Sequence, residues 1–82
     1  MKTTNNLYRR WERNTRYYEA RLQRDLFGDW ILIKVWGQIN SPRGRIMNSI
    51  CNNYIEGQEK LITLSKIREK RGYTMIKSEG GK

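Results

Sequence analysis

Trp30-Ile31-Leu32-Ile33-Lys34-Val35-Trp36-Gly37-Gln38-Ile39 is the stretch on which the fold turns. Six of its ten residues are β-branched or aromatic, and such side chains fit a pleated surface. Alternation places Trp30, Leu32, Lys34 and Trp36 on one face and Ile31, Ile33 and Val35 on the other. Both faces are apolar, so the segment reads as a strand central in its sheet. One face lies under a helix, and the other needs a cover or a partner.

The chain on either side supplies the rest of that sheet. Toward the C-terminus, Gly37 and Asn40-Ser41-Pro42-Arg43-Gly44 close the strand with a basic loop that cannot continue a ladder. Arg45 to Tyr54 reads as the next strand, with Ile46, Ile50 and Tyr54 on one side and a pattern diluted by Asn48, Asn52 and Asn53. From Glu56 to Arg71 the period changes. Leu61, Leu64 and Ile67, with Ile62 alongside, recur at helical spacing, while Glu59, Lys60, Lys66, Arg68, Glu69 and Lys70 are expected to face water. This helix is expected to start near Gly57 and to stop at Gly72, after a Lys70-Arg71 last turn that suits the helix dipole. Tyr73 to Ile76 returns as an edge strand.

Toward the N-terminus, Asp25-Leu26-Phe27-Gly28-Asp29 is a turn that asks for a positive φ at Gly28. Before it, Tyr18, Ala20 and Leu22 alternate with Tyr17, Glu19 and Arg21. A turn at Glu12-Arg13-Asn14-Thr15 joins this arm to Leu7 to Trp11 as a hairpin. The fold class expected is therefore α+β, a small mostly antiparallel sheet with one helix packed across it. The folded part is expected over 7–76, with flexible tails at 1–6 and 77–82.

Composition bounds what such a domain can do. At 82 residues the chain has room for one core. An apolar share of 37% with three Trp, five Tyr and one Phe is more than a disordered polycation carries. Seventeen Lys and Arg against eight Asp and Glu leave a net charge of +9, a surplus that an anionic surface relieves. Histidine is absent, which removes His-based triads, dyads and metal ligation. The lone Cys51 can form neither an internal disulfide nor a Cys-only zinc site, and suits an intracellular chain. The carboxylates Asp25, Asp29, Glu56 and Glu59 show no paired motif for acid-base work. No apolar run reaches membrane-spanning length, and no secretory leader is evident. The expectation is a cytoplasmic, non-enzymatic protein with no metal, no cofactor and no membrane contact.

At this point the residues become familiar. Tyr17-Tyr18, Leu22, Asp25-Leu26-Phe27-Gly28, Trp30, Leu32, Trp36-Gly37, Ile39, Gly44 and the closing Lys70-Arg71-Gly72-Tyr73 resemble the WGR domains found in poly(ADP-ribose) polymerases and small bacterial proteins. The resemblance implies an antiparallel sheet crossed by one helix. It also implies binding rather than chemistry, since in the polymerases the domain helps engage DNA ends with the motif Trp near the backbone. ADP-ribosylation is not implied, because no catalytic domain fits in this length. One departure stands out: the third motif position is Gln38 instead of Arg, a neutral amide in place of a charged fork.

The expected partner is nucleic acid, DNA favoured, and the candidate contact residues are Lys34, Trp36, Gln38, Arg43, Arg45, Lys70 and Arg71. Trp36 reads equally as a core indole or as a ring laid on a sugar or base. Arg43 and Arg45, and Lys34 just before the motif, are placed to replace the missing motif charge. Arg9, Arg10, Arg13 and Arg16 around Tyr8 and Trp11 give the basic and aromatic mixture of single-strand binders, or an amphipathic edge. The competing function is a protein-interaction module, or a homodimer, that uses Ile31, Ile33 and Val35.

Overall fold

In a computed structural model, which describes residues 6–80, five strands and one helix follow in the order β1 (Leu7–Arg13), β2 (Arg16–Arg24), β3 (Trp30–Gln38), β4 (Gly44–Cys51), α1 (Tyr54–Lys70) and β5 (Thr74–Glu79). The strands form a single antiparallel sheet ordered β4-β3-β2-β1-β5. The fold is α+β, with α1 across one face. Neighbouring strands are joined by short turns, and the helix serves as the crossover that carries the chain to the far edge. The β1–β2 turn works because Asn14 accepts a left-handed φ of 54°. Of the tails expected at 1–6 and 77–82, residues 1–5 and 81–82 lie outside the described residues. Lys77 to Glu79, assigned in sequence to a tail, continue β5 along β1 past a bulge near Arg10 and Trp11.

The core is small and lies between sheet and helix. Trp11, Ala20 and Leu22 have no solvent exposure, and Leu7, Leu32, Cys51 and Leu61 are buried around them. At about 25 cal/mol per Å² of apolar surface, the Trp11 indole is the largest single contribution. Its place in the core removes it from any nucleic-acid surface, which corrects the reading of Tyr8 and Trp11 as a shared binding face. Cys51 is buried, as a small apolar residue should be.

Three expectations about the sheet and helix need correction. First, β3 is paired on both sides but is not the central strand; β2 holds that place, because the helix crossover delivers β5 to the far side of β1. Second, Tyr54 does not lie on β4. It opens α1, where its ring meets Trp30 at 4.7 Å between centroids. Of the three asparagines that dilute the strand pattern, Asn48 does lie on β4, whereas Asn52 and Asn53 form the helix start. The Asn53 side chain accepts a 2.8 Å hydrogen bond from the Glu56 backbone N–H, and the Glu56 carboxylate accepts from the Asn52 N–H. This is a capping box read one residue back.

Third, Gly57 is not a helix boundary. It is buried inside α1, and a methyl group there would lie 2.5 Å from one Leu22 methyl and 2.9 Å from the other. Glycine lets the helix rest directly on the fully buried Leu22.

The inward stripe of α1 therefore runs Tyr54, Gly57, Leu61, Leu64 and Arg68. Ile62 and Ile67 are largely exposed, at 55% and 41%.

Candidate nucleic-acid interface

Up-and-down strands gather alternate connections at the same end of a sheet. Here the β1–β2 turn, the β3–β4 loop and the C-terminus of α1 share one end. They are in direct contact. The Ile39 N–H donates to the Thr15 carbonyl at 2.7 Å, tying the loop to the turn. A methyl at Gly72 would sit 3.3 Å from Arg13 Nε, so the turn also abuts the helix end. Within the loop, a methyl at Gly37 would lie 3.0 Å from the Arg43 carbonyl oxygen, and one at Gly44 would lie 2.9 Å from the Tyr17 hydroxyl. The motif glycine is thus required by close approach of β4.

The helix end is closed tightly. Gly72 has φ 89°, its N–H donates to the Glu69 carbonyl at 3.0 Å, and the Tyr73 N–H donates to the Arg68 carbonyl at 2.9 Å. These two bonds form a Schellman motif that requires the left-handed residue. Tyr73 is thereby turned back under the helix.

The three segments 13–16, 38–45 and 70–73 carry Arg13, Arg16, Arg43, Arg45, Lys70 and Arg71, and no carboxylate. All six cations are exposed. Among the described residues none of them enters an ion pair; the pairs present use Arg10 and Lys77. Lys70 and Arg71 have a local reason in the helix dipole. The four arginines have none.

Of the residues singled out in sequence, Trp36, Gln38, Arg43 and Arg45 line one shallow groove with Gly37, Ser41 and Gly44. Arg45 is the cross-strand partner of Trp36. Lys70 and Arg71 stand at the same end on the helix. Lys34 stands apart. It lines a different groove, between sheet and helix, in the company of Glu56, Glu59 and Lys60.

Trp36 lies half-buried at the rim, stacked on Tyr18 with centroids 5.5 Å apart and planes 8° from parallel. Tyr18 in turn meets the edge of Trp11 at 6.1 Å. The Trp36 ring is therefore an extension of the core into the groove, and the two readings of it are compatible.

Sequence reasoning missed Arg68. Placed with the residues facing water, it instead packs its guanidinium 4.3 Å from the centre of the Tyr18 ring and 5.1 Å from that of Tyr73. Its Nε is buried without a hydrogen-bond partner, so ring faces hold the charge. Burial pushes the Tyr18 hydroxyl pKa up, opposed by the Arg68 charge. The signal was available: Arg68 lies seven residues after Leu61, on the inward stripe.

The N-terminal arginines divide. Arg13 and Arg16 join the rim. Arg10 is bound at 2.9 Å to Glu12 and at 2.7 Å to Glu19, and Arg9 donates to the backbone carbonyls of Tyr8 and Glu79.

Residues 1–80 match the family model described as the WGR domain. The chain belongs to the WGR domain family. Neither the curated proteins nor the solved structures contain a significant match to it. The motif of this WGR domain reads Trp36-Gly37-Gln38, and the register shows what stands beside the changed position. Arg16 on β2 is the direct cross-strand partner of Gln38, both on the helix side of the sheet. A guanidinium is thus next to the site from which the motif charge is missing. The WGR domain has no group of three metal-ligating side chains among the described residues. No helix among them is long and apolar enough to cross a membrane.

Proposed function

We propose that this WGR domain is a non-enzymatic nucleic-acid-binding module that grips the phosphate backbone, or a strand end, of DNA with its basic rim. The observation that carries the reading is the convergence of six exposed cations from three chain segments, without one carboxylate, around an aromatic groove. Arg43, Arg45, Arg13 and Arg16 supply charge where no local structural task needs it. Lys70 and Arg71 extend the same surface. Trp36 offers a ring to a sugar or base, where stacking is worth about 1–3 kcal/mol. Gln38 contributes an amide that donates and accepts, and Arg16 restores charge beside it. Lys34, facing helix carboxylates, is left outside the contact set. Because the sequence carries no recognition-helix motif, backbone positioning is favoured over base readout.

The protein measures 35 × 26 × 25 Å, so a duplex laid across it meets at most about ten base pairs at 3.4 Å each. A fluorescein-labelled duplex slightly longer than this is the suitable probe for anisotropy. If all six cations release counterions, the affinity falls with a log-log salt slope of about −5. Arg43→Glu with Arg45→Glu flattens that slope by about two units. Binding that ignores salt, or that survives the double reversal unchanged, refutes the proposal.

A further inference from the structure

The two edges of the sheet are finished differently. β5 is six residues long, carries Lys77 and Glu79, and meets β1 across a bulge near Arg10 and Trp11. Charge and irregularity of this kind discourage the addition of another strand. β4 has neither guard. It is eight residues long, keeps an unbroken register with β3 from Gly44 to Cys51, and contains no proline and no carboxylate.

The alternation of an antiparallel ladder tells which backbone groups β4 leaves open. The Ile39 N–H donates to the Thr15 carbonyl, so by register Ile31, Ile33, Val35 and Gly37 are the β3 residues that bond to β2. Leu32, Lys34 and Trp36 then bond to β4, at Ser49, Met47 and Arg45. The N–H and C=O groups of Ile46, Asn48 and Ile50 point away from the sheet, and among the described residues no strand lies beside them. The row ends at Asn52, whose N–H is taken by the Glu56 carboxylate.

The side chains along this edge are apolar on both faces. Ile46 and Ile50 are each 68% exposed on the face opposite α1, and Met47 is 50% exposed on the helix side. Ile31, Ile33 and Val35, through which the sequence favours a protein contact, are only half-exposed beside them. Behind Met47 a groove between sheet and helix is lined by Leu32, Ser49, Leu64 and Ile67, and its lysines Lys34 and Lys60 are matched by Glu56 and Glu59.

A row of open N–H and C=O groups at strand spacing is matched by another extended backbone, whose alternate side chains reach both faces. Charge decides whose backbone it is. From Gln38 to Cys51 the chain holds Arg43 and Arg45 and no carboxylate, in a protein of net charge +9. A second copy of β4 brings the same arginines and the same surplus. An acidic segment is attracted by both.

We infer that the open edge of β4 takes up an extended, acidic segment of another protein as a sixth strand, its apolar side chains lying against Ile46, Ile50 and Met47. The inference does not rest on nucleic-acid binding. The probe is a fluorescein-labelled peptide of alternating valine and glutamate, as long as β4, followed by anisotropy. The same peptide N-methylated throughout keeps the side chains and the charge but loses the ladder donors, and is expected to bind at least about tenfold more weakly. Lysine in place of glutamate is expected to weaken binding as much.

Amide hydrogen exchange on the unmodified protein locates the peptide. Exchange at Ile46, Asn48 and Ile50 is expected to slow on binding, while Met47 and Ser49, already bonded to β3, stay as they were. Asn48→Pro removes an outward donor and leaves the β3–β4 ladder intact. It is expected to weaken the peptide at least about tenfold and to leave the affinity for a labelled duplex unchanged, which separates this inference from the proposed function. Absence of peptide binding at about 1 mM overturns the inference. So does equal binding of the N-methylated peptide, protection that falls outside the three alternate residues, or a dimer of the protein alone that protects them.

Discussion

The two ends of the strands are built from opposite inventories. At one end, turn, loop and helix terminus bring together six exposed cations and no acid. At the other, the β2–β3 turn and the start of α1 carry Asp25, Asp29 and Glu56, and two of these three acids have backbone work. Asp25 accepts from the Phe27 and Asp29 N–H groups at 2.9 Å each, and Glu56 caps the helix. Carboxylates at the far end fold the chain. Among the described residues the side chains of the rim arginines enter no ion pair. A surplus of +9 could have been a solvated coat, and the difference between the ends is what turns it into a directed surface.

The sharpest way to break this contrast is to move charge without changing its total. Arg43→Glu and Arg45→Glu combined with Asp29→Lys and Glu59→Lys keep the net charge at +9, because two reversals in each direction cancel. Binding of a labelled duplex is expected to drop about a hundredfold at low salt, as two phosphate contacts become repulsions. Retained affinity would mean that total charge, not its placement, governs binding.

Smaller effects separate the two helix ends. Gly72→Ala forces a Cβ into a φ of 89° and should cost about 1–2 kcal/mol in urea unfolding. It should also weaken duplex binding several-fold, because Arg13 and Arg71 lose their mutual placement. At the far end, Asn53→Ala removes the cap for about 1 kcal/mol and should leave binding untouched. Equal effects of the two substitutions on binding would erase the distinction.

The smallest effect lies between the ends, on the face of the sheet opposite α1. Burial, followed by the hydrogen bond to Glu19, pushes the Tyr8 pKa up from 10.0 to about 12. The neutral phenol is thus favoured in the folded state, and its contribution is complete below pH 10 and lost as pH rises toward 12. The difference in melting temperature between the parent and Tyr8→Phe should narrow over that window. A constant difference would show that the phenol titrates alike in both states.

Much of this was legible in the residues. The alternation in β2 and β3, the positive φ at Gly28 and the glycine stop at Gly72 each rest on a local rule, and each appears in the structure. The helix start was misplaced because Asn52 and Asn53 were weighed as poor strand residues instead of as caps. Gly57 was misjudged because glycine punctuates most helices, whereas here it admits Leu22. Arg68 was placed in water because charge was read before periodicity. Of the candidate contact residues, Trp36, Gln38, Arg43 and Arg45 share a groove, while Lys34 lines a different one beside Glu56 and Glu59 of α1, whose placement across the sheet no local spacing reveals.

By itself, the sequence determined which segments are strands, where the chain must turn, and that the protein is basic and without histidine, since these depend on side chains and their immediate neighbours. Only the tertiary structure decided that Arg13 and Arg16 stand beside Arg43, Arg45 and Arg71, that Arg16 faces Gln38, and that β4 is left as an open edge. Those facts depend on strand order and on the helix crossover to the far edge of the sheet. Such long-range pairings are fixed by how the whole apolar surface is buried, and no local window of residues contains them.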